Sequence, residues 1–231
     1  MRDYFAGRVA EGYDADTADM PVEPVVDFLA ELAADGAALE LAIGTGRIAL
    51  PLSERGIRVS GINLSPDMVA QLRGKAGSES IEVAIGDYAT TRVDGEFSLV
   101  YIVFNSISNQ TTQDGQLATF ENAAAHLRSG GCFVVEVGVP RSAPLEVFDL
   151  SQTHVGVDER EPATQRSVSH HFTLVDGQWE LVSMPFRSAS PGEFDLMARI
   201  AGLRLRERFA DWNREPFTGQ SKKHVSVWEN R

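Results

Sequence analysis

The chain has 231 residues, 43% of them apolar, and a formal net charge of −12. That length allows one sizeable core, or one core with a small appendage. No apolar run reaches the roughly 18–20 residues of a membrane helix, and the acidity opposes the phosphate-neutralising surface of a nucleic-acid binder.

The opening residues Met-Arg-Asp-Tyr-Phe run into acids rather than an apolar signal core. The single cysteine, Cys132, lies in an apolar run and reads as a buried small hydrophobe. A cytoplasmic protein without a nucleic-acid or membrane partner is therefore expected.

Residues 1–35 read as a polar arm followed by a helix near 22–34, with Val25, Leu29 and Leu32 on one stripe. A first strand runs to about Ala42 and meets the turn Gly44-Thr45-Gly46, and a helix follows from about Arg47 to Arg55. A second strand covers 59–64. Ser65-Pro66-Asp67 then supplies an N-cap, an N1 proline and a first-turn acid for the next helix. Strands three and four are Ile81–Ile85 and Phe97–Phe104. A helix over 112–127 stops at Gly130-Gly131, and strand five is Cys132–Val139. Strands alternating with helices in this way describe a parallel sheet covered on both faces.

The pattern then changes. Residues 140–162 carry prolines without a period and read as a loop. Residues 165–175 and 178–187 are β-rich and joined by Asp176-Gly177, a hairpin signal. A helix near 191–201 and strands near 203–210 and 224–229 complete the sheet. The expected fold is α/β, a Rossmann-like doubly wound sheet of seven mostly parallel strands, with an antiparallel β-hairpin lid inserted after strand five. The units are an arm and helix (1–35), a cofactor-binding core (36–139), a loop and β lid (140–190) and a C-terminal completion (191–231). The hairpin could cover its own active site or pair across a dimer, so monomer and homodimer both stay open.

A strand ending in a glycine turn and a helix start presents free N–H groups and a positive dipole end to a ligand. Gly44-x-Gly46-x-x-Ala49 alone also fits a dinucleotide fingerprint. Three features separate the cofactors. Glu40 stands before the loop, where an acid can fix an amino group. Gly86-Asp87 follows strand three, where an acid can accept from an exocyclic amine. None of the four tyrosines starts the Tyr-x-x-x-Lys pair expected of a dehydrogenase of this size. Together they favour S-adenosylmethionine over a nicotinamide.

Five segments, Glu40-Leu-Ala-Ile-Gly-Thr-Gly46, Gly61-Ile-Asn-Leu-Ser-Pro-Asp-Met68, Gly86-Asp-Tyr88, Phe104-Asn-Ser106 and Leu127-Arg-Ser-Gly-Gly131, occur in order. With them the chain resembles the class I S-adenosylmethionine-dependent methyltransferases, closest to their small-molecule branch. The resemblance implies that Ala42 to Gly46, with Thr45, cradles the methionine part of the cofactor. It implies that Asn63 reaches the ribose, with Leu64 and Met68 beside the adenine. Asp87 would accept from adenine N6 and the Tyr88 backbone would face N1. The Phe104 carbonyl would hold the amino group, Asn105 would stand at the acceptor mouth, and Tyr13 would fold over the sulfonium. Ala42 replaces the family's usual glycine and Asn63 its usual acid, so weaker but surviving binding is expected.

Methyl transfer gives S-adenosylhomocysteine and needs alignment, water exclusion and a place for the acceptor's proton. His170 and His171, on opposite faces of a strand, are candidate bases. Glu136 interrupts a buried apolar strand and is either a pocket carboxylate or a structural hydrogen-bonding group. His154, Arg187, Trp212 and Phe217 are candidate substrate contacts, and the aromatic residues suggest a hydrophobic or aromatic acceptor with a nucleophilic N, O or electron-rich C. No metal set is seen, since His170 and His171 are adjacent rather than spaced as ligands. The alternatives are a cofactor-holding protein that transfers no methyl group and a nicotinamide-dependent reductase.

Overall fold

The structure, a computed structural model, describes residues 2–231. Its main sheet has seven strands: β1 (Ala38–Leu41), β2 (Val59–Asn63), β3 (Glu82–Ile85), β4 (Phe97–Ile102), β5 (Leu127–Gly138), β10 (Leu203–Phe209) and β11 (Lys223–Asn230). The spatial order is β10-β11-β5-β4-β1-β2-β3. β1 pairs in parallel with both β2 and β4, so the strand order reverses at β1. β11 enters antiparallel to β5 and to β10. In open α/β sheets a ligand crevice forms beyond the strand C-termini at such a reversal.

Both sheet faces are covered. On one, Ala38, Val59, Leu99, Tyr101 and Val134 pack against Val25, Phe28 and Leu29 of α2 (Glu23–Ala33) and Leu52 of α3 (Ala49–Glu54). On the other, Leu39, Leu41, Ile62, Val100 and Phe133 pack against Phe120 of α5 (Gln113–His126) and Phe194 of α6 (Pro191–Ile200). The turn after β2 works as its sequence requires. Ser65 Oγ accepts from the Met68 N–H at 3.4 Å, and Pro66 opens α4 (Pro66–Arg73).

Three expectations are corrected. The polar arm contains a helix, α1 (Arg8–Asp16), of which only Ala10 is fully buried, so it shows little apolar periodicity. α5 ends at His126 and the chain passes directly into β5, because Leu127 already pairs with Phe97; Gly130, at φ 75°, lies within that strand. The expected loop at 140–162 holds two strands, β6 (Leu145–Leu150) and β7 (His154–Glu161). With β8 (Arg166–Val175) and β9 (Gln178–Arg187) they form a second, antiparallel sheet in the order β6-β7-β8-β9. The hairpin is thus half of a four-stranded sheet. Its turn takes positive φ at both central residues, Asp176 (50°) and Gly177 (78°), as the tightest hairpins require.

Candidate active site

The loop after β1 turns through three left-handed residues, Ala42 (φ 62°), Gly44 (57°) and Gly46 (79°). At Gly46 a Cβ would also lie 2.4 Å from Leu72 Cδ1, so only glycine fits. Asn63 holds this loop from the neighbouring strand. Its Oδ1 accepts from the Gly44 N–H at 3.1 Å and its Nδ2 donates to the Ser65 carbonyl at 3.1 Å. The Asn63 amide is therefore already engaged with backbone on both sides.

Above the loop lies a small solvent-open cavity of about 70 Å³. Its walls include Tyr13, Ala42, Gly44, Asn63, Leu64, Met68 and Tyr88, together with Ser106, Asn109 and Pro185. Residues 2–5 close one side of it. The Phe5 carbonyl accepts from Ser65 Oγ at 3.2 Å, and the Phe5 ring meets Tyr13 edge-on at 6.3 Å. α1 is pinned over the loop by Asp14, which accepts from Thr45 Oγ1 at 2.6 Å and pairs with Lys75 at 2.5 Å.

Behind the loop stands Glu40, buried at the end of β1 and accepting from the Tyr101 hydroxyl at 3.0 Å. Burial pushes its carboxyl up to about 8, against the opposing pull of Tyr101 and of the Arg47 charge. Arg47 lies over the Phe104 ring at 5.7 Å, and its Nη1 is buried without a hydrogen-bond partner among the described residues. A buried donor of this kind calls for an anion. The Glu40 carboxyl and the unsatisfied Nη1 donor of Arg47, whose charge acts on Glu40, complement the two charges of an amino-acid zwitterion, while the opening beside Leu64 and Met68 suits a nucleoside. The residues present thus fit S-adenosylmethionine. Sequence reasoning missed Arg47, although one signal was available: a cation at a helix start opposes the helix dipole and needs another reason to be there.

Asp87 is oriented by two donors to its Oδ1, Gln110 Nε2 at 2.7 Å and the Ala89 N–H at 2.9 Å. Phe104 and Asn105 are consecutive left-handed residues, at φ 54° and 59°. The Glu136 carboxylate accepts from the Phe104 N–H at 3.1 Å and from Lys223 Nζ at 3.2 Å. Each Glu136 oxygen thus has a protein donor, the arrangement its expected structural role requires.

The structure does not bring the other candidates to one place. Trp212 is buried in the core, edge-on to Phe28 at 5.4 Å, and Phe217 packs against His224 at 5.9 Å, so neither walls the opening. Arg187 is 6% exposed and donates to Gln116, Gln165 and Glu193, a closed network with no room for a substrate carboxylate. His170 bonds Ser183 on one face of the second sheet, while His171 and His154 meet on the other at 3.2 Å. The described residues contain no cluster of metal-ligating side chains. None of their helices is long and apolar enough to cross a membrane.

Comparison with known proteins gives the same assignment. A methyltransferase domain family matches residues 38–131. The chain is 28% identical over 203 residues to a cypemycin N-terminal methyltransferase from a Streptomyces species, covering 84% of this chain and 82% of that one. It is 28% identical over 155 residues to a dTDP-3-amino-3,4,6-trideoxy-alpha-D-glucopyranose N,N-dimethyltransferase from Streptomyces venezuelae, covering 67% and 62%. The solved CcbJ methyltransferase of Streptomyces caelestis superposes with a TM-score of 0.84 at 32% identity, covering 94% of this chain and 96% of that one. The chain thus belongs to the S-adenosylmethionine-dependent methyltransferases, and its seven-stranded sheet has their fold.

Proposed function

We propose that this enzyme methylates an amino nitrogen of a small natural product. The observation that carries the reading is that the two curated relatives above are both named for methylation at an amino nitrogen. The site adds support, because the aromatic side chains that favoured an aromatic acceptor pack elsewhere. The second sheet instead turns Asp158 and Asp149 to the side that α1 approaches with Asp16. Carboxylates in that position attract a cationic amine.

The bound sulfonium supplies an activated methyl group, so the protein's task is alignment and proton handling. In this reading Arg47 and Glu40 hold the carboxylate and amino group of the cofactor, and the Phe104 carbonyl assists at the amino group. Asp87 accepts from the adenine amine. Tyr13, on a helix pinned by Asp14, closes over the reacting centre and excludes water. Asn63 keeps the loop in shape and offers its remaining acceptor capacity to the ribose.

The test has two stages. Calorimetric titration with S-adenosylmethionine, S-adenosylhomocysteine and NADH should give binding by the first two only. Tritium transfer from labelled S-adenosylmethionine is then measured on amino sugars, dipeptides with free N-termini, and phenols. Methylated amines support the reading. Methylation of phenols alone overturns it.

A further inference from the structure

The second sheet has one face that its own chain leaves largely bare. Residues directly opposite each other in an antiparallel pair share a face. Leu150, Val155, Phe172 and Leu181 stand in one such row across all four strands, and the row is wholly apolar. The next row is Val147, Val157, His170 and Ser183. Leu145 and Trp179 flank these rows on the same face, opposite Glu159 and Leu174. Leu145, Val147, Leu150, Trp179 and Leu181 are each more than half exposed, Leu150 to 76%. Single exposed apolar residues are ordinary on a protein surface, but a contiguous apolar face marks an interface.

The reverse face is closed from within. Phe148 lies over Gly156, so close that no Cβ would fit there, and meets the His171 ring at 5.4 Å. Glu180, on that side too, pairs with Arg8 of α1 at 3.0 Å. The edge of the sheet is also protected. β6 is its outer strand, a bulge between Val147 and Asp149 breaks the ladder, and Pro144 precedes the strand. A partner is therefore received on the bare face and not along the β6 edge.

Size and charge select the occupant. The four strands hold 6, 8, 10 and 10 residues. At about 3.3 Å per residue and about 4.8 Å between strands, the face measures about 500 Å². Two such faces together bury about 1,000 Å², the size at which specific interfaces begin, and side-chain relief adds to it. A two-fold contact sets the same patch against itself. Apolar rows satisfy that condition, because leucine against leucine is indifferent to direction. With a net charge of −12 the chain is repelled by an anionic membrane and by a second copy wherever acids meet. The two central rows carry no acid, and Glu159 in the row beyond them stands 3.6 Å from His170.

We infer that two copies of this chain dimerise face to face through the second sheet, as a sandwich about 10 Å deep. Leu150, Phe172 and Leu181 of each copy form its inner layer with the same residues of the other.

Sedimentation equilibrium across a micromolar concentration series tests this. The native chain should reach twice its 25.2 kDa mass. Leu181→Lys and Val147→Lys each bury an unpaired charge twice in a two-fold contact, and should weaken the dimer at least about 100-fold. Leu196→Lys, at an equally exposed leucine on α6, should leave it unchanged. A second readout uses the native chain alone. Of its three tryptophans Trp179 is 52% exposed, while Trp212 and Trp228 are buried. Dilution should therefore raise acrylamide quenching of the tryptophan fluorescence along the same curve as dissociation. A monomeric native chain overturns the inference, and flotation of that monomer with phosphatidylcholine vesicles would assign the face to a lipid surface. A dimer that survives both lysine variants, or dissociates with quenching unchanged, lies on another surface and overturns it as well. Loss of the dimer in Leu196→Lys does the same, since the association would then be unspecific.

Discussion

Arg47→Met tests the cofactor assignment at the residue where the structure says most. Methionine keeps the apolar stem and removes the guanidinium, with its charge, its donors and its stacking on Phe104. A hydrogen bond between charged groups contributes about 1.5–3 kcal/mol, and about 1.4 kcal/mol is tenfold in affinity. S-adenosylhomocysteine, with its carboxylate, should therefore bind roughly 10- to 100-fold more weakly to the variant. 5′-Methylthioadenosine shares the nucleoside but lacks the amino-acid end, and its affinity should stay within about twofold. Calorimetric titration of both ligands against both proteins gives the comparison directly.

A second readout guards against a trivial cause. In the ligand-free chain Nη1 is a buried donor without a partner, which costs about 1–3 kcal/mol. Removing it should leave the melting temperature unchanged or raised. Equal weakening of both ligands, or a lowered melting temperature, would refute the assignment, since either would mean that Arg47 supports the loop and not the carboxylate.

In Glu40→Gln, S-adenosylhomocysteine affinity should lose its pH dependence; in the native chain it should rise up to about pH 8, where the carboxyl ionises to meet the ligand's amino group. The same raised carboxyl should make the native free chain lose stability as pH climbs from the unfolded glutamate range through about 8, a slope that thermal melts should find flattened in the variant. Asn63→Asp should lower stability by about 1–3 kcal/mol, because a carboxylate oxygen replaces the donor to the Ser65 carbonyl; a higher melting temperature would contradict this. Arg187→Met leaves the half-buried Glu193 with only Gln113 and Gln165 as partners and strips Gln116 of its donor, and denaturant unfolding should show a loss of about 1–3 kcal/mol. For His224, burial and then Arg208 hold the imidazole down to about 4, so its contribution is present above the unfolded histidine range and is lost as pH falls through about 4. His224→Phe should flatten that acid limb, which is worth about 3 kcal/mol.

The parallel core was legible because its signals are local. A proline after a serine cap, an acid before two glycines and an aspartate-glycine turn each fix a backbone conformation within four residues. The second sheet was half legible for the opposite reason. Val155 and Val157 do alternate with His154, Gly156 and Asp158 in β7, but both faces of that strand are only partly covered and Pro140, Pro144 and Pro162 surround it. α1 is harder still: with Ala10 alone buried, its stability comes from the Asp14 and Gly7 contacts to Lys75 and Asp67, which lie some 60 residues away in the chain.

The site divides along the same line. Glu40 and the glycine turn lie together where the sequence places them, at the end of β1 and in the loop after it. Trp212 and Phe217 were misplaced because aromatic side chains suit a cleft as well as a core, and Arg187 because its partners Gln116, Gln165 and Glu193 are far apart in the sequence. Glu136 shows how a misfit residue is resolved: a carboxylate in a valine run must have partners, and it finds them in the Phe104 amide and Lys223.

Those partners also explain why the two C-terminal strands matter to a site they do not line. Two successive non-glycine residues in the left-handed region cost roughly 1–2 kcal/mol each. At Phe104 and Asn105 the turn is held from outside. The Glu136 carbonyl accepts from the Asn105 N–H at 3.2 Å, and the Asn105 Oδ1 accepts from the Gly138 N–H at 2.7 Å. Glu136 and Gly138 keep their places because β5 is zipped along its length to β11, with His224 opposite Val137 and Lys223 opposite Gly138. At the end of that ladder the Val139 N–H donates to the Lys222 carbonyl at 2.8 Å. The strain at Phe104 and Asn105 is thus sustained by strand pairing that begins about 120 residues later in the chain. A change that frays β11 should therefore loosen the Phe104 carbonyl before it unfolds the sheet.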